Sequence, residues 1–288
     1  MPELPEVEVV KQSLKKYIIN KTLIKIIVKN NKLRILVPTN ISEKLSDLKI
    51  LGVKRVSKYV VIEFKNNIFL IIHLGMSGTL HLVKKNENNL ENTNLSFYHT
   101  KRFPKKHNHI FFYFDDFIIV FNDPRRFGFL KLIEGQLNLN NYFSKLGPEP
   151  LEKKFNFKYT KNYLFKKTKN IKNTLIDQKF ISGLGNIYSS EILNYSKINP
   201  LKFAGKITDK EIEKIIFFTK KVLKRSIKRG GTTINNFQSI KGNQGSYQKE
   251  FRAYNRESKR CKNKSCLGTI VKLNISNRST YMCNFCQK

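Results

Sequence analysis

The four cysteines of the chain all fall in its last 28 residues, spaced Cys261-x4-Cys266-x16-Cys283-x2-Cys286. Few structures accommodate that spacing. Four thiolates in two close pairs fit one tetrahedral zinc ion held on a β-hairpin. A module this short cannot bury enough apolar surface to fold unaided, so folding and metal binding are one event there. Clustered cysteines argue for a metal in a reducing cytoplasm and against a disulfide framework. The expected cofactor is therefore one structural Zn2+. The hairpin tip, Asn277-Arg278-Ser279, offers an arginine suited to a phosphate, although a solvated surface Arg278 is the simpler reading.

The chain as a whole is strongly basic, with 55 Lys and Arg against 21 Asp and Glu and a formal net charge of +34. An AT-rich genome inflates Lys, Asn and Ile, but it does not explain so few acids. The excess favours a polyanionic partner, nucleic acid first. A membrane surface is the competing partner. No apolar run reaches the roughly 18 residues needed to span a bilayer, and no signal peptide is expected. The expectation is a cytoplasmic monomer with no membrane association.

Hydrophobic periodicity divides the chain. Residues 5–18 read as an amphipathic helix, with Val7, Val10, Leu14 and Ile18 on one face. Short strands are expected at 23–28, 34–37, 50–56, 59–64, 68–73, 110–114, 117–121 and 129–133, with Asn66-Asn67 as a tight turn. Residues 84–94 are polar and of low complexity, which predicts a mobile loop. One helix followed by many strands suggests a β-sandwich or barrel. After Leu146-Gly147-Pro148-Glu149-Pro150 helical periodicity takes over at 159–178, 186–196 and 208–228. Residues 230–260 read as a flexible polar segment.

Several stretches have the residue types of a reactive site. If Met1 is removed, the chain starts with the secondary amine of Pro2 beside the carboxylate of Glu3. An α-amino group titrates near pH 7.7–8.0, so part of it is a free nucleophile that attacks carbon to give an iminium. Glu3 is placed to move protons for it. The simpler reading is that Pro-Glu-x-Pro-Glu caps a helix, with Pro5 near its first position. Lys58 lies among apolar neighbours, Val56 and Tyr59-Val60-Val61-Ile62; desolvation would lower its pKa, whereas most such lysines are solvated. In His73-Leu74-Gly75-Met76-Ser77-Gly78, Met76 is either a core gap-filler or an apolar wedge between bases. In Asp123-Pro124-Arg125-Arg126-Phe127-Gly128, the arginines and Phe127 form either a charged turn or a base-reading, stacking loop. Gly183-Leu184-Gly185-Asn186 either connects two helices or brings backbone amides to a phosphate.

These motifs occur together in one family. PELPEVE, SKYVVIE, HLGMSG, NDPRRFG, LGPEPL, LIDQKFISGLGNIYSSEIL, RGGTT and the four-cysteine terminus resemble, in that order, bacterial formamidopyrimidine-DNA glycosylases. The resemblance runs from Pro2 to Lys288. The sibling endonuclease VIII branch usually begins PEGPE, so Leu4 points to the formamidopyrimidine branch. The resemblance implies an α+β multidomain fold: an N-terminal β-sandwich with its helix (1–135), a hinge (136–150), a helix-two-turn-helix domain (151–230), a flexible loop over a flipped base (231–252) and a zinc finger (253–288). It implies a DNA-repair enzyme that excises oxidised purines, 8-oxoguanine and formamidopyrimidines, from damaged double-stranded DNA in the cleft between domains, then cleaves the strand by β,δ-elimination.

By the same resemblance Pro2 is the nucleophile at C1′ and Glu3 the general acid/base. Lys58 acts near the lesion, and Arg278 grips a phosphate. Met76, Arg125 and Phe127 fill the void left by the flipped nucleotide, with Arg125 facing the orphaned cytosine. His107, Lys167, Lys172 and Asn186 match DNA-backbone positions. Three departures stand out. The first cysteine pair has x4 where the family usually has x2. The family's GRxGxxC reads Asn255-Arg256-Glu257-Ser258-Lys259-Arg260-Cys261, without either glycine. The loop at 84–106 is longer and more polar. The competing functions are an endonuclease VIII-like glycosylase for oxidised pyrimidines and a non-catalytic zinc-ribbon protein that only binds nucleic acid.

Overall fold

The computed structural model describes residues 2–84, 106–232 and 245–288. The chain divides into two compact units, Met1–Ser144 with Gly230–Gly245, and Lys145–Arg229 with Ser246–Lys288. Residues 85–105 of the polar loop expected at 84–106, and residues 233–244 of the expected capping loop, lie outside the described residues.

The first unit opens with helix α1 (Leu4–Ile18), which Pro5 starts and whose stripe of Val7, Val10, Leu14 and Ile18 is buried. There follow β1 (Thr22–Leu23), β2 (Lys25–Val28), α2 (Ile41–Leu45), β3 (Leu48–Val56), β4 (Tyr59–Phe64), β5 (Ile68–His73), β6 (Thr79–Lys84), β7 (Asn108–Tyr113), β8 (Phe117–Asn122), β9 (Phe129–Glu134) and α3 (Gln136–Phe143). The strands form two antiparallel sheets, ordered β1-β3-β4-β5-β9 and β2-β7-β8-β6. Between them Val60, Ile62, Leu70 and Ile72 of the first sheet share one core with Ile26, Leu80, Phe112 and Phe121 of the second, together with the α1 stripe. The alternate residues Val61, Phe69 and Ile71 point to the other face, where Leu139, Tyr142 and Phe143 of α3 cover them. Burial on both faces explains why β4 and β5 read as continuous apolar runs.

Three expectations for this unit are corrected. The single strand at 23–28 is two strands in different sheets, Leu23 opposite Leu48 and Ile26 opposite Phe112. Leu23 and Ile26 both reach the core, yet three positions apart on one strand they would face opposite ways; the break at Ile24 removes the conflict. Residues 34–37 form no strand. The chain closes on Asn31, whose carbonyl accepts from the amides of Leu33 and Val37, and Ile35 and Leu36 are left exposed. The stretch read as a hinge from 136 carries α3, built from asparagine-rich sequence of low helix propensity and held by its packing on the sheet.

The second unit contains α4 (Phe157–Leu164), α5 (Ile171–Ile176), α6 (Asn186–Ser196), α7 (Asp209–Lys228) and the hairpin β10 (Ile270–Ile275) and β11 (Arg278–Cys283). The periodic stretch at 159–178 is two helices, because Lys166 takes a left-handed φ of 56° after α4. Asn156, Asn170 and Thr208 cap α4, α5 and α7 with their side chains. α6 packs between α7 and β11. Residues 246–260 are not a loose segment. Tyr247, Phe251 and Ala253 are buried, and the fully buried carboxylate of Glu191 on α6 accepts the backbone amides of Arg252, Ala253 and Tyr254 at 2.8–2.9 Å. Burial raises the pKa of Glu191, and those three amides oppose the shift. Among the described residues no helix is long and apolar enough to cross a membrane.

Candidate functional site

Glu3 is the N-cap of α1, in extended backbone, and forms a capping box with Glu6. Its carboxylate is buried, directly after Pro2. Glu6 binds in two directions. One carboxylate oxygen accepts the Glu3 amide at 3.0 Å, and the other accepts the amide and the hydroxyl of Thr232, each at 2.9 Å. The start of the chain is thus fixed to the residue that precedes the 233–244 stretch.

Lys58 is buried in the two-residue turn joining β3 to β4, where Val56 faces Tyr59. Ser57 beside it takes a left-handed φ of 54°. The turn is tied to α1: Arg55 donates to the Ser57 carbonyl at 2.8 Å and to Glu8 at 2.9 Å. Burial opposes the charge on Glu8, but Lys11 and Arg55 outweigh it and hold the carboxyl below its ordinary range. His73 completes this region. Its Nδ1 accepts the Gly75 amide at 3.0 Å and its ring stacks on Phe129. Burial first, then the charges of Lys58 and Arg34, lower its pKa to about 4. The imidazole is therefore neutral at pH 7 and carries its proton on Nε2, a donor beside a lysine.

Met76 and Phe127 are both well exposed, at 42% and 40%, unlike core gap-fillers. The Arg125 guanidinium stacks over the Phe127 ring at 4.6 Å. The two loops touch through their backbones. Gly75 has a φ of +62°, and a Cβ there would lie 2.3 Å from the Phe127 carbonyl carbon. His107 is half-buried, with a left-handed φ of 67°, and its carbonyl accepts the Asp123 amide at 3.1 Å.

In the second unit Asn186 begins α6 and donates to the Ser279 carbonyl at 2.7 Å. Lys172 is buried; its ammonium donates to Asn186 Oδ1 at 2.8 Å and to Ser190 at 3.0 Å. It supports Asn186 from below, whereas Lys167 is exposed over the Tyr163 ring. Asn173 donates to Ser276 at 2.8 Å. The exposed Arg278 thus lies on β11 between two anchored residues, Ser276 and Ser279.

The four cysteine sulfurs all lie within 4.8 Å of one another, a set able to hold a metal ion. Cys266 and Cys283 are 3.5 Å apart and Cys261 and Cys286 3.8 Å, close to the roughly 3.8 Å edge of a tetrahedron with 2.3 Å zinc–sulfur bonds. The amides of Asn263 and Phe285 point at the sulfurs of Cys261 and Cys283 at 3.4 Å, as thiolates require. The longer first spacing is absorbed by a turn in which Cys266 donates to the Asn263 carbonyl, and Asn263 Nδ2 reaches Cys286 Sγ at 3.1 Å.

Sequence reasoning missed Glu8, Arg55, His73, Ser77, Asp123 and Glu191, and for Glu6 it saw the helix start but not the tie to Thr232. Most stand inside or beside motifs already singled out. Their distant partners, such as Arg55 for Glu8, Ser77 for Asp123 and residues 252–254 for Glu191, are not announced by any local pattern.

The formamidopyrimidine-DNA glycosylase N-terminal domain model matches residues 1–130, and that family's H2TH domain model matches residues 146–238. The chain is 37% identical to the formamidopyrimidine-DNA glycosylase of Rickettsia bellii over 289 residues, covering 100% of both. It is likewise 37% identical to that of Wolbachia pipientis subsp. Culex pipiens over 288 residues, covering 100% of both. Among solved structures it is similar to a Lactococcus lactis FPG mutant in complex with Fapy-dG-containing DNA, with a TM-score of 0.87, 30% identity and 100% of each chain covered. A MutM complex with carbocyclic 8-oxo-G DNA gives 0.86 and 32%, again over 100% of both chains. Full-length identity and two matching domain models agree: the chain belongs to the formamidopyrimidine-DNA glycosylase family.

Proposed function

We propose that this protein is a bifunctional DNA glycosylase and abasic-site lyase that removes oxidised purines from duplex DNA, with Pro2 as its nucleophile. The observation that carries the reading is the buried Glu3 carboxylate next to Pro2, held at the start of α1 by Glu6. The relatives in hand are formamidopyrimidine-DNA glycosylases, and structures similar to this one hold Fapy-dG or 8-oxo-G DNA.

The Pro2 nitrogen forms a bond to C1′ while the bond from C1′ to the damaged base breaks. The base leaves with a proton, and the opened sugar remains on Pro2 as a cationic iminium. Glu3 moves the proton between the sugar and the departing groups. Loss of the C2′ proton then expels the 3′ phosphate, and a second elimination expels the 5′ phosphate. Lys58 serves near the lesion, with neutral His73 beside it as an N–H donor. Arg278 and Asn186 hold phosphate, with Lys172 positioning Asn186; Lys167 and His107 add backbone contacts. Met76, Arg125 and Phe127 replace the flipped nucleotide in the stack.

The four cysteines hold one zinc ion that fixes the β10–β11 hairpin. The protein acts as a monomer in the bacterial cytoplasm. Residues 1–135 form the catalytic domain, 151–230 the helix-two-turn-helix domain and 253–288 the finger.

Borohydride reduction of a reaction with DNA carrying 8-oxoguanine opposite cytosine tests the chemistry. A covalent adduct is expected, with peptide mass placing it on Pro2, and Pro2→Gly diminishes it. No adduct, or an adduct elsewhere, overturns the mechanism. N-terminal sequencing must find Pro2 first, because a retained Met1 blocks the amine. A duplex with thymine glycol, cleaved in preference, would instead favour an oxidised-pyrimidine enzyme.

A further inference from the structure

The loops carrying Met76 and Arg125–Phe127 are both crossovers between the sheets. One runs from β5 to β6, the other from β8 to β9. They begin and end side by side, since His73 pairs with Phe129 and Thr79 with Asn122. Between those ends one buried hydrogen-bond network joins them. Asp123 is 0% exposed. Its Oδ1 accepts from the Ser77 hydroxyl and its Oδ2 from the Gly128 amide at 2.7 Å. The Ser77 oxygen in turn accepts the Arg125 amide at 3.2 Å. A carboxylate only accepts, so Ser77 must spend its single proton on Asp123, which leaves its lone pair for Arg125. The direction of every bond is thereby fixed. Buried and with both oxygens engaged, Asp123 is not open to substrate. A buried carboxylate is costly unless so satisfied, and this one holds both loops together.

We propose that Ser77 and Asp123 are positioning residues that bind the Met76 loop and the Arg125–Phe127 loop into a single rigid wedge, so that the side chains enter the DNA stack together. The proposal rests on the wedge role assigned above to Met76, Arg125 and Phe127. Inserting side chains between bases works against stacking of a few kcal/mol per step. Loops that yield separately would not hold a gap open, and Arg125 would lose its fixed approach to the orphaned base.

A double-mutant cycle on single-turnover excision of 8-oxoguanine opposite cytosine tests this. Ser77→Ala is expected to slow excision about tenfold in the wild-type background and less than about threefold in Met76→Ala, because coupled residues are not additive. It should also narrow the preference for cytosine over adenine opposite the lesion, which a merely structural role would not move. Asp123→Asn keeps the volume and must show the same coupling; its melting transition, read beside that of Ser77→Ala, separates unfolding from loss of the brace. If Met76→Ala is slow while Ser77→Ala is not, or if the two act independently, the brace falls and the wedge stands. If Met76→Ala excises at the wild-type rate, the wedge assignment falls and the brace with it.

Discussion

Glu6 and Thr232, 226 positions apart, are joined twice over: the threonine donates both its amide and its hydroxyl to one carboxylate oxygen, each at 2.9 Å. The other oxygen holds the Glu3 amide. One buried side chain therefore sets the backbone next to Pro2 and the backbone that enters residues 233–244. The RGGTT motif has its reason here too, since Gly231 has a φ of +77° and a Cβ there would meet Glu6 at 3.1 Å.

Thr232→Val keeps the shape and removes the hydroxyl. A lost hydrogen bond to a buried charge costs about 1.5–3 kcal/mol, so the urea midpoint should fall by that equivalent. Excision should slow as well, because the same carboxylate holds Glu3. An unchanged midpoint would show that the bond contributes nothing.

The depressed pKa of His73, about 4 against an ordinary 6.5, makes stability depend on pH. Above pH 6.5 the imidazole is neutral in both folded and unfolded chains, and its contribution is complete. Between pH 6.5 and about 4 the unfolded chain takes up the proton and the folded one does not, so stability falls on acidification. The loss is of the order of 3 kcal/mol. His73→Asn keeps an acceptor for the Gly75 amide and cannot titrate. Subtracting its unfolding free energy from that of the wild type, pH by pH, should isolate the decline; a flat difference from pH 7 to pH 4 would sink the assignment.

Much of this was legible in the sequence because it is local. The β4–β5 hairpin follows from apolar runs broken by Asn66-Asn67, both with left-handed φ, and α1 from its spaced aliphatic stripe. Other parts were not legible, α3, β6 and the irregular stretch 34–37 among them. α3 has no strong helical signal in QLNLNNYF and exists because the outer sheet face needs cover. β6 precedes a long polar stretch and gains its identity only by pairing with β8. The stretch 34–37 has strand residues, but the chain there closes on itself, the amides of Leu33 and Val37 donating to the Asn31 carbonyl. The site divides the same way. Motif residues could be named from sequence, the buried Glu3 and Lys58 included, whereas Glu8, Asp123 and Glu191 also bond to partners that only the fold brings near, Arg55, Ser77 and the amides of 252–254.

Metal removal should act on the hairpin first. The four sulfurs fit a tetrahedral ion, and the surrounding core contains little beyond Ala253, Ile270, Tyr281 and the cysteines. Dialysis against a strong chelator should release one zinc per chain, expose the 253–288 segment to protease and weaken DNA binding, since Arg278 loses its fixed place. Cobalt restored to the apoprotein should give the thiolate charge-transfer band of a four-sulfur site. A metal content near zero in freshly purified, active protein would contradict the assignment.

The finger's approach holds a second stability question. The two positions where the family has glycine are Asn255 and Ser258 here, and both keep a left-handed backbone, with φ of 55° and 63°. The left-handed backbone is adopted here without glycine. Something must hold it, and the contacts are visible: Ser258 donates its amide to the Ile270 carbonyl at 2.8 Å, and Ile270 returns its own amide to Lys259. Asparagine tolerates this region, but serine there costs about 1–2 kcal/mol relative to glycine. Glycine gives part of that back through the greater freedom of its unfolded chain, about 0.4–1 kcal/mol. Ser258→Gly should therefore raise stability by about 0.5–1 kcal/mol, and Asn255→Gly by less. Ser258→Val should lower it, because a β-branched residue resists positive φ more strongly. Chemical denaturation of the metal-loaded protein, followed by protease susceptibility of residues 253–288, ranks the three variants. A stability order with valine above glycine at 258 would mean that the left-handed turn is not what seats the finger.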